Sequence, residues 1–121
     1  MRRAARIDDN QNDIVKCFRR MGYKVAILSA VGNGMTDVLI SKTGINCLVE
    51  IKDGDKFPSQ QKLTDEQEIF HSDWQGLRAI VNSKETALQL ANRLAEIKLI
   101  TDKCGLDEFL TGKRTLDLRE C

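Results

Sequence analysis

Residues 36–52, TDVLISKTGINCLVEIK, constrain the fold more than any other stretch of this chain. Two apolar runs flank Thr43-Gly44, a pairing suited to a tight turn between antiparallel strands. A turn centred there sets Ile40 opposite Cys47, Val38 opposite Val49 and Asp37 opposite Glu50. Side chains alternate across a strand, so Val38, Ile40, Cys47, Val49 and Ile51 form one unbroken apolar face. That face has to be covered, which makes the hairpin a core element. The opposite face carries Leu39 and Leu48 near the turn, and Asp37, Glu50 and Lys52 at its far end.

The three charges need an explanation. Directly opposed residues on neighbouring strands hold their Cβ atoms about 4.5–5.5 Å apart, where two like charges destabilise a sheet. Lys52 compensates in part. A divalent cation between the carboxylates compensates more, and Mg²⁺ suits the position because it takes a few carboxylate oxygens and retains waters and substrate phosphate oxygens. Such an ion would lower the pKa of a bound water and neutralise charge on a phosphoryl group. An adjacent lysine would position that water and stabilise developing charge. These parts suit phosphodiester hydrolysis. They also fit an edge hairpin whose charged end is solvated, with Lys52 paired to Glu50.

The remaining pattern supplies a scaffold. Residues 8–21 place Ile14, Val15, Phe18 and Met21 at helical spacing, with Asp8 or Asn10 as the cap and Gly22 as the stop. YKVAILSAV, residues 23–31, reads as a strand closed by Gly-Asn-Gly. After the hairpin, DGDKFPSQQK holds the sole proline and reads as a mobile loop. Thr64-Asp65-Glu66-Gln67 has capping-box form and opens a helix that ends near Trp74, before Gly76. LRAIVNS, residues 77–83, is a fourth strand. KETALQLANRLAEIK follows as an amphipathic helix presenting Ala87, Leu90, Ala91, Leu94 and Ile97. The order α-β-β-β-α-β-α, with a helical crossover into the last strand, predicts an α/β or α+β domain on a mixed sheet.

At 121 residues the chain reads as one domain, with its core at about 6–98 and a weakly patterned tail at 99–121. In that tail Leu106, Phe109 and Leu110 suit a short docking helix or a subunit contact. With 41% hydrophobic and 31% charged residues, it has the balance of an ordinary globular protein. No apolar run approaches the ~20 residues of a membrane span, and no signal core follows the arginine-rich start, so a cytoplasmic location is expected. Cys17, Cys47, Cys104 and Cys121 fit neither a zinc spacing nor a redox motif, and Cys47 reads as packing. The net charge of +1 says little about partners, but Arg2, Arg3 and Arg6 precede the first helix and Lys56 and Lys62 flank the hairpin.

Asp37, twelve residues, then Glu50-Ile51-Lys52, within this element order, resembles the PD-(D/E)XK nuclease superfamily. GNGMTDVLISKTGINCLVEIKDG, then KLTDEQEIFHSDWQG and LRAIVNS, is similar to the virus-type replication-repair nuclease group and the related Holliday junction resolvases, common in phages and prophages. The resemblance covers residues 6–95. It implies a restriction-endonuclease-like αβββαβ core, a mixed sheet flanked by helices. It implies Mg²⁺, with Mn²⁺ able to substitute, held by Asp37, Glu50 and the carbonyl of Ile51, with Lys52 as the catalytic lysine. Gln67 matches a glutamine expected near the active site, a role that competes with capping its helix. Gln11 occupies a position that points toward the metal in relatives, with Asp8 a turn earlier; both also suit helix caps. Thr36 replaces the usual proline before the aspartate.

The implied activity is metal-dependent DNA cleavage, structure-selective, on Holliday junctions, flaps or related branched DNA in phage or bacterial replication, recombination or repair. The expected assembly is a homodimer, with Arg3, Arg6, Lys56 and Lys62 contacting DNA phosphates. Two rivals are a non-catalytic DNA-binding protein on the same fold and a protein-interaction or inhibitor protein. His71, the lone histidine, reads as a partly exposed helix residue, and Trp74 reads as packing in preference to base stacking.

Overall fold

The hairpin forms in the register that its alternation requires. In the computed structural model, which describes residues 9–97 with Gly112, Thr115, Asp117 and Arg119, strands β2 (Val38–Lys42) and β3 (Ile45–Ile51) pair antiparallel around Thr43-Gly44. Ile40 lies opposite Cys47 and Val38 opposite Val49. Val38, Ile40, Cys47, Val49 and Ile51 are all buried. Each such side chain stabilises the fold by roughly 1.5–3 kcal/mol. Burial raises the Cys47 thiol to about 11, so it packs as a small inert hydrophobe.

Strand β1 (Lys24–Ile27) adds antiparallel to β2, and β4 (Arg78–Val81) adds parallel to β3, giving the order β1-β2-β3-β4. The parallel step requires a crossover, which carries helix α2 (Asp65–Asp73). The chain is thus an α/β protein with a four-stranded mixed open sheet and three helices among the described residues. β1 is shorter than its apolar run suggests. Leu28 donates its N–H to the carbonyl of Asp37 at 2.7 Å and Val31 to that of Leu28 at 3.0 Å, so the chain turns away from the sheet there.

Helices α1 (Asp9–Arg20) and α3 (Lys84–Ala95) cover the apolar face, α1 with Ile14, Val15 and Phe18 and α3 with Ala87 and Leu94. Gly22 stops α1 as expected. Its neighbour Tyr23 donates to the carbonyl of Phe18 at 3.0 Å, Gly22 to that of Arg19 at 3.0 Å, and the Phe18 and Tyr23 rings meet edge-on. At the other end of the core stripe Leu90 and Ala91 are partly buried, whereas Ile97 is exposed. α3 ends at Ala95, before the turn that would carry Ile97 onto the core.

Asp8, Arg3, Arg6, Cys104 and Cys121 lie outside the described residues, as does the tail apart from the four positions named. No helix among the described residues is long and apolar enough to cross a membrane. The loop after β3 is tied down more than its composition suggests. Gln61 donates to the carbonyl of Lys56 at 2.8 Å, Asn82 donates to Gln61 Oε1 at 2.9 Å, and Gly54 donates to the carbonyl of Asn82 at 3.1 Å. Lys56 and Lys62 remain exposed on it.

Helix α2 is set by a close approach. A Cβ at Gly34 would fall 2.5 Å from the carbonyl oxygen of Glu66, so the Gly-Asn-Gly turn presses against the first turn of the helix. Gly32 shares the left-handed backbone (φ 78° against 80°) but has open space around it. Gly32→Ala should therefore cost about 1–2 kcal/mol, the strain of that backbone alone, and Gly34→Ala distinctly more. Urea unfolding of the two variants measures this; equal losses would mean that the turn and helix are not in contact.

Candidate active site

Asp37 sits in a bend one residue before β2, beyond the last ladder pair of Val38 with Val49. The ladder thus stops one pair short of the Asp37–Glu50 pairing that simple alternation suggested. Its side chain reaches across the strand end, and Oδ2 accepts the N–H of Ile51 at 2.7 Å. The carboxylate takes the place of the backbone acceptor that a longer ladder would supply. A strand residue's N–H and C=O point to the same side, so the Ile51 carbonyl also faces Asp37. Thr36, at the expected proline position, is fully buried with its hydroxyl donating to the carbonyl of Val38 at 3.3 Å.

Glu50 projects from the face opposite the core and is only 3% exposed. Its Oε2 accepts from Gln67 Nε2 at 3.2 Å and lies 3.6 Å from Lys52 Nζ. Lys52 Nζ in turn donates to Gln67 Oε1 at 2.9 Å. The capping box of α2 is present as well, with Thr64 N–H donating to that same Oε1 at 3.0 Å and Thr64 Oγ1 accepting from Gln67 N–H. Gln67 thus caps its helix and at the same time bonds Lys52 and Glu50. One amide caps the helix, holds the lysine and touches the glutamate.

Burial raises the Glu50 carboxyl to about 8, helped by the nearby charge of Asp37, while Lys52 pulls the other way. Oε1 of Glu50 is buried with no hydrogen-bond partner among the described residues. An orphaned acidic oxygen beside a second carboxylate is an arrangement that a bound cation would satisfy. Asp37, Glu50 and the Ile51 carbonyl offer oxygen donors, as Mg²⁺ prefers. Among the described residues no three His, Cys, Asp or Glu side chains converge, so waters and substrate oxygens would have to complete the shell. Comparison with protein-family models, curated proteins and solved structures finds no match. The nuclease resemblance rests on these residues alone.

The structure also gives these and other marked residues contacts that the sequence did not indicate. Asn10, read as a cap, lies inside α1 and donates to the carbonyl of Lys52 at 2.7 Å across 42 positions of sequence. Gln11 is buried and donates to Ser29 Oγ at 3.0 Å, and Ser29 lies 3.5 Å from the carbonyl oxygen of Asp37. Gln11 therefore supports the backbone of Asp37. His71, expected to be partly exposed, is 8% exposed, because it follows Gln67 by one helical turn on the inward side of α2. Burial and the cations of Arg78 and Lys52 lower its pKa. No local pattern reveals these contacts, which join residues distant in sequence.

The raised carboxyl fixes the sign of a pH effect. A folded-state pKa above the unfolded value contributes stability below the unfolded carboxyl range and loses it as pH rises through about 8. In EDTA, Glu50→Gln should be nearly neutral at pH 5 and stabilising by on the order of 2 kcal/mol at pH 9. Urea titrations at both pH values test this; a variant less stable than wild type at pH 9 would refute it. Thr64→Ala and Gln67→Ala separate the two roles of the amide. Each should lose about 1 kcal/mol of cap stability, but only the second should disturb Lys52, read as a changed Lys52 Nζ signal in NMR spectra.

Proposed function

We propose that this chain is a Mg²⁺-dependent DNA endonuclease of the PD-(D/E)XK type, acting on branched DNA in a phage-infected or bacterial cytoplasm. The observation that carries the reading is the pairing of half-buried Asp37 with buried Glu50, with an unpartnered Glu50 oxygen and with Lys52 held against it. A hairpin end that needed only solubility would leave its charges in water. Here Glu50 is desolvated beside a like charge, a costly arrangement characteristic of a reaction site.

Asp37, Glu50 and the carbonyl of Ile51 would hold the cation, which when bound supplies an acidified water and charge neutralisation at phosphorus. Lys52 keeps ammonium protons beyond the one given to Gln67. One of these can reach an attacking water or a non-bridging phosphate oxygen and stabilise the charge that builds there. Gln67 fixes the lysine's direction through Oε1 and steadies Glu50 through Nε2, so both reach the substrate preset. Asn10 holds the strand end that carries Lys52, and Gln11 with Ser29 backs Asp37. Exposed Lys56 and Lys62 lie in the loop leaving that strand and would meet the DNA backbone. A homodimer would present two such sites to the two strands of a junction.

Cleavage of labelled four-way junction, flap, nicked and linear duplex DNA tests the reading. Cutting should require Mg²⁺ or Mn²⁺, stop in EDTA, and fall at least about 100-fold in Asp37→Asn, Glu50→Gln and Lys52→Ala. Intact DNA after incubation with folded, DNA-bound wild type would overturn the catalytic reading and favour a binding protein.

A further inference from the structure

We infer that a cleft along α2 receives an unpaired nucleobase of the substrate strand, stacked on Trp74. The inference deepens the nuclease reading and rests on it for the source of the base. Trp74 is the sole tryptophan, and the fold holds it rigidly while leaving it 41% exposed. Its ring stacks on Phe70, with centroids 5.5 Å apart and planes 16° from parallel. Its indole edge lies against Gly76, where a Cβ would come within 2.7 Å of Nε1. The backbone is fixed too: Trp74 donates to the carbonyl of Phe70 at 3.0 Å and accepts from the Arg78 guanidinium at 2.8 Å. Packing explains one side of the indole but not the exposure of the rest.

Beside it opens a cleft of about 410 Å³ lined by Asn33, Glu66, Ile69, Phe70, Asp73 and Trp74. Ile69 is 62% exposed, so the wall is apolar and uncovered. Glu66 and Asp73 decide what fits. Two carboxylates repel phosphate, which keeps the DNA backbone out, but they accept hydrogen bonds from the N–H groups of a base edge. Asn33 adds an amide with both donors and an acceptor. A flat, uncharged, donor-bearing aromatic meets all of these demands. A paired base does not, because its edge donors are engaged and its faces are stacked within the duplex.

Position ties the cleft to the reaction. Glu66, Ile69, Phe70 and Asp73 share one stripe of α2, and Gln67 lies on the next, three residues from Phe70 and about 5–6 Å away between Cβ atoms. A base in the cleft and a phosphate at Lys52 then belong to the same or neighbouring nucleotides. Unpaired nucleotides at branches and ends would be selected by this contact.

Trp74 itself supplies the readout. The full chain in EDTA is titrated with a short single strand, with the blunt duplex of the same sequence and with free guanosine, following tryptophan emission and the anisotropy of labelled DNA. The single strand and guanosine should quench emission, and the duplex should bind without quenching. Trp74→Ala should weaken single-strand binding about tenfold and leave duplex binding unchanged, with Trp74→Phe close to wild type. The inference fails if emission ignores a bound strand, if Trp74→Ala or Trp74→Phe weakens strand and duplex equally, or if emission follows protein concentration alone, the mark of a second copy in the cleft. Should no DNA bind in EDTA, where nothing offsets the repulsion of phosphate by Asp37 and Glu50, the nuclease reading stands or falls by the cleavage assay alone, and guanosine decides the cleft: quenching retains it and its absence removes it.

Discussion

Two carboxylates brought together at the buried end of a hairpin repel each other, and much of the surrounding structure answers that repulsion. Asp37 is held by the Ile51 amide, and Glu50 by the Gln67 amide and the Lys52 ammonium. None of these partners removes the cost, as the elevated Glu50 carboxyl shows. A protein retains such a cost where affinity for something else offsets it. The apolar face behind the hairpin makes this tolerable, since its burial secures the strands independently of the charges in front.

The scaffold places the rigid parts where positional accuracy matters. β3 is an interior strand, paired on both sides, and it carries Glu50, Ile51 and the approach to Lys52. Helix α1 reaches its end through Asn10, and α2 approaches through Gln67, so the site stands where three elements converge. Loops contribute more at the margins, with exposed lysines on one and the Gly-Asn-Gly turn on another.

Legibility followed the range of the interactions. The hairpin register could be read because a period of two allows a single pairing that buries one face. The caps of α2 and the stop of α1 could be read because they depend on neighbours within a few residues. The meeting of Asp37 with the Ile51 amide could not, since a side chain replacing a ladder acceptor leaves no periodic trace. Asn10 looked like a cap because its long-range acceptor, the carbonyl of Lys52, has no signature in sequence. His71 looked exposed because the polar pattern of α2 hides which side faces inward. The competing roles of Gln67 were visible from the sequence, but their coexistence depends on where Lys52 ends.

That coexistence links local motion to chemistry. Helix ends fray more readily than helix centres, and the first turn of α2 is closed by the same oxygen that holds the lysine. Each opening of that turn also takes the Gln67 oxygen from the ammonium, which Glu50, 3.6 Å away, then holds alone. The lifetime of the full Gln67, Lys52 and Glu50 arrangement is therefore bounded by the lifetime of one helical turn, and any ligand that held Lys52 against Gln67 would slow the fraying of a helix end it need not touch.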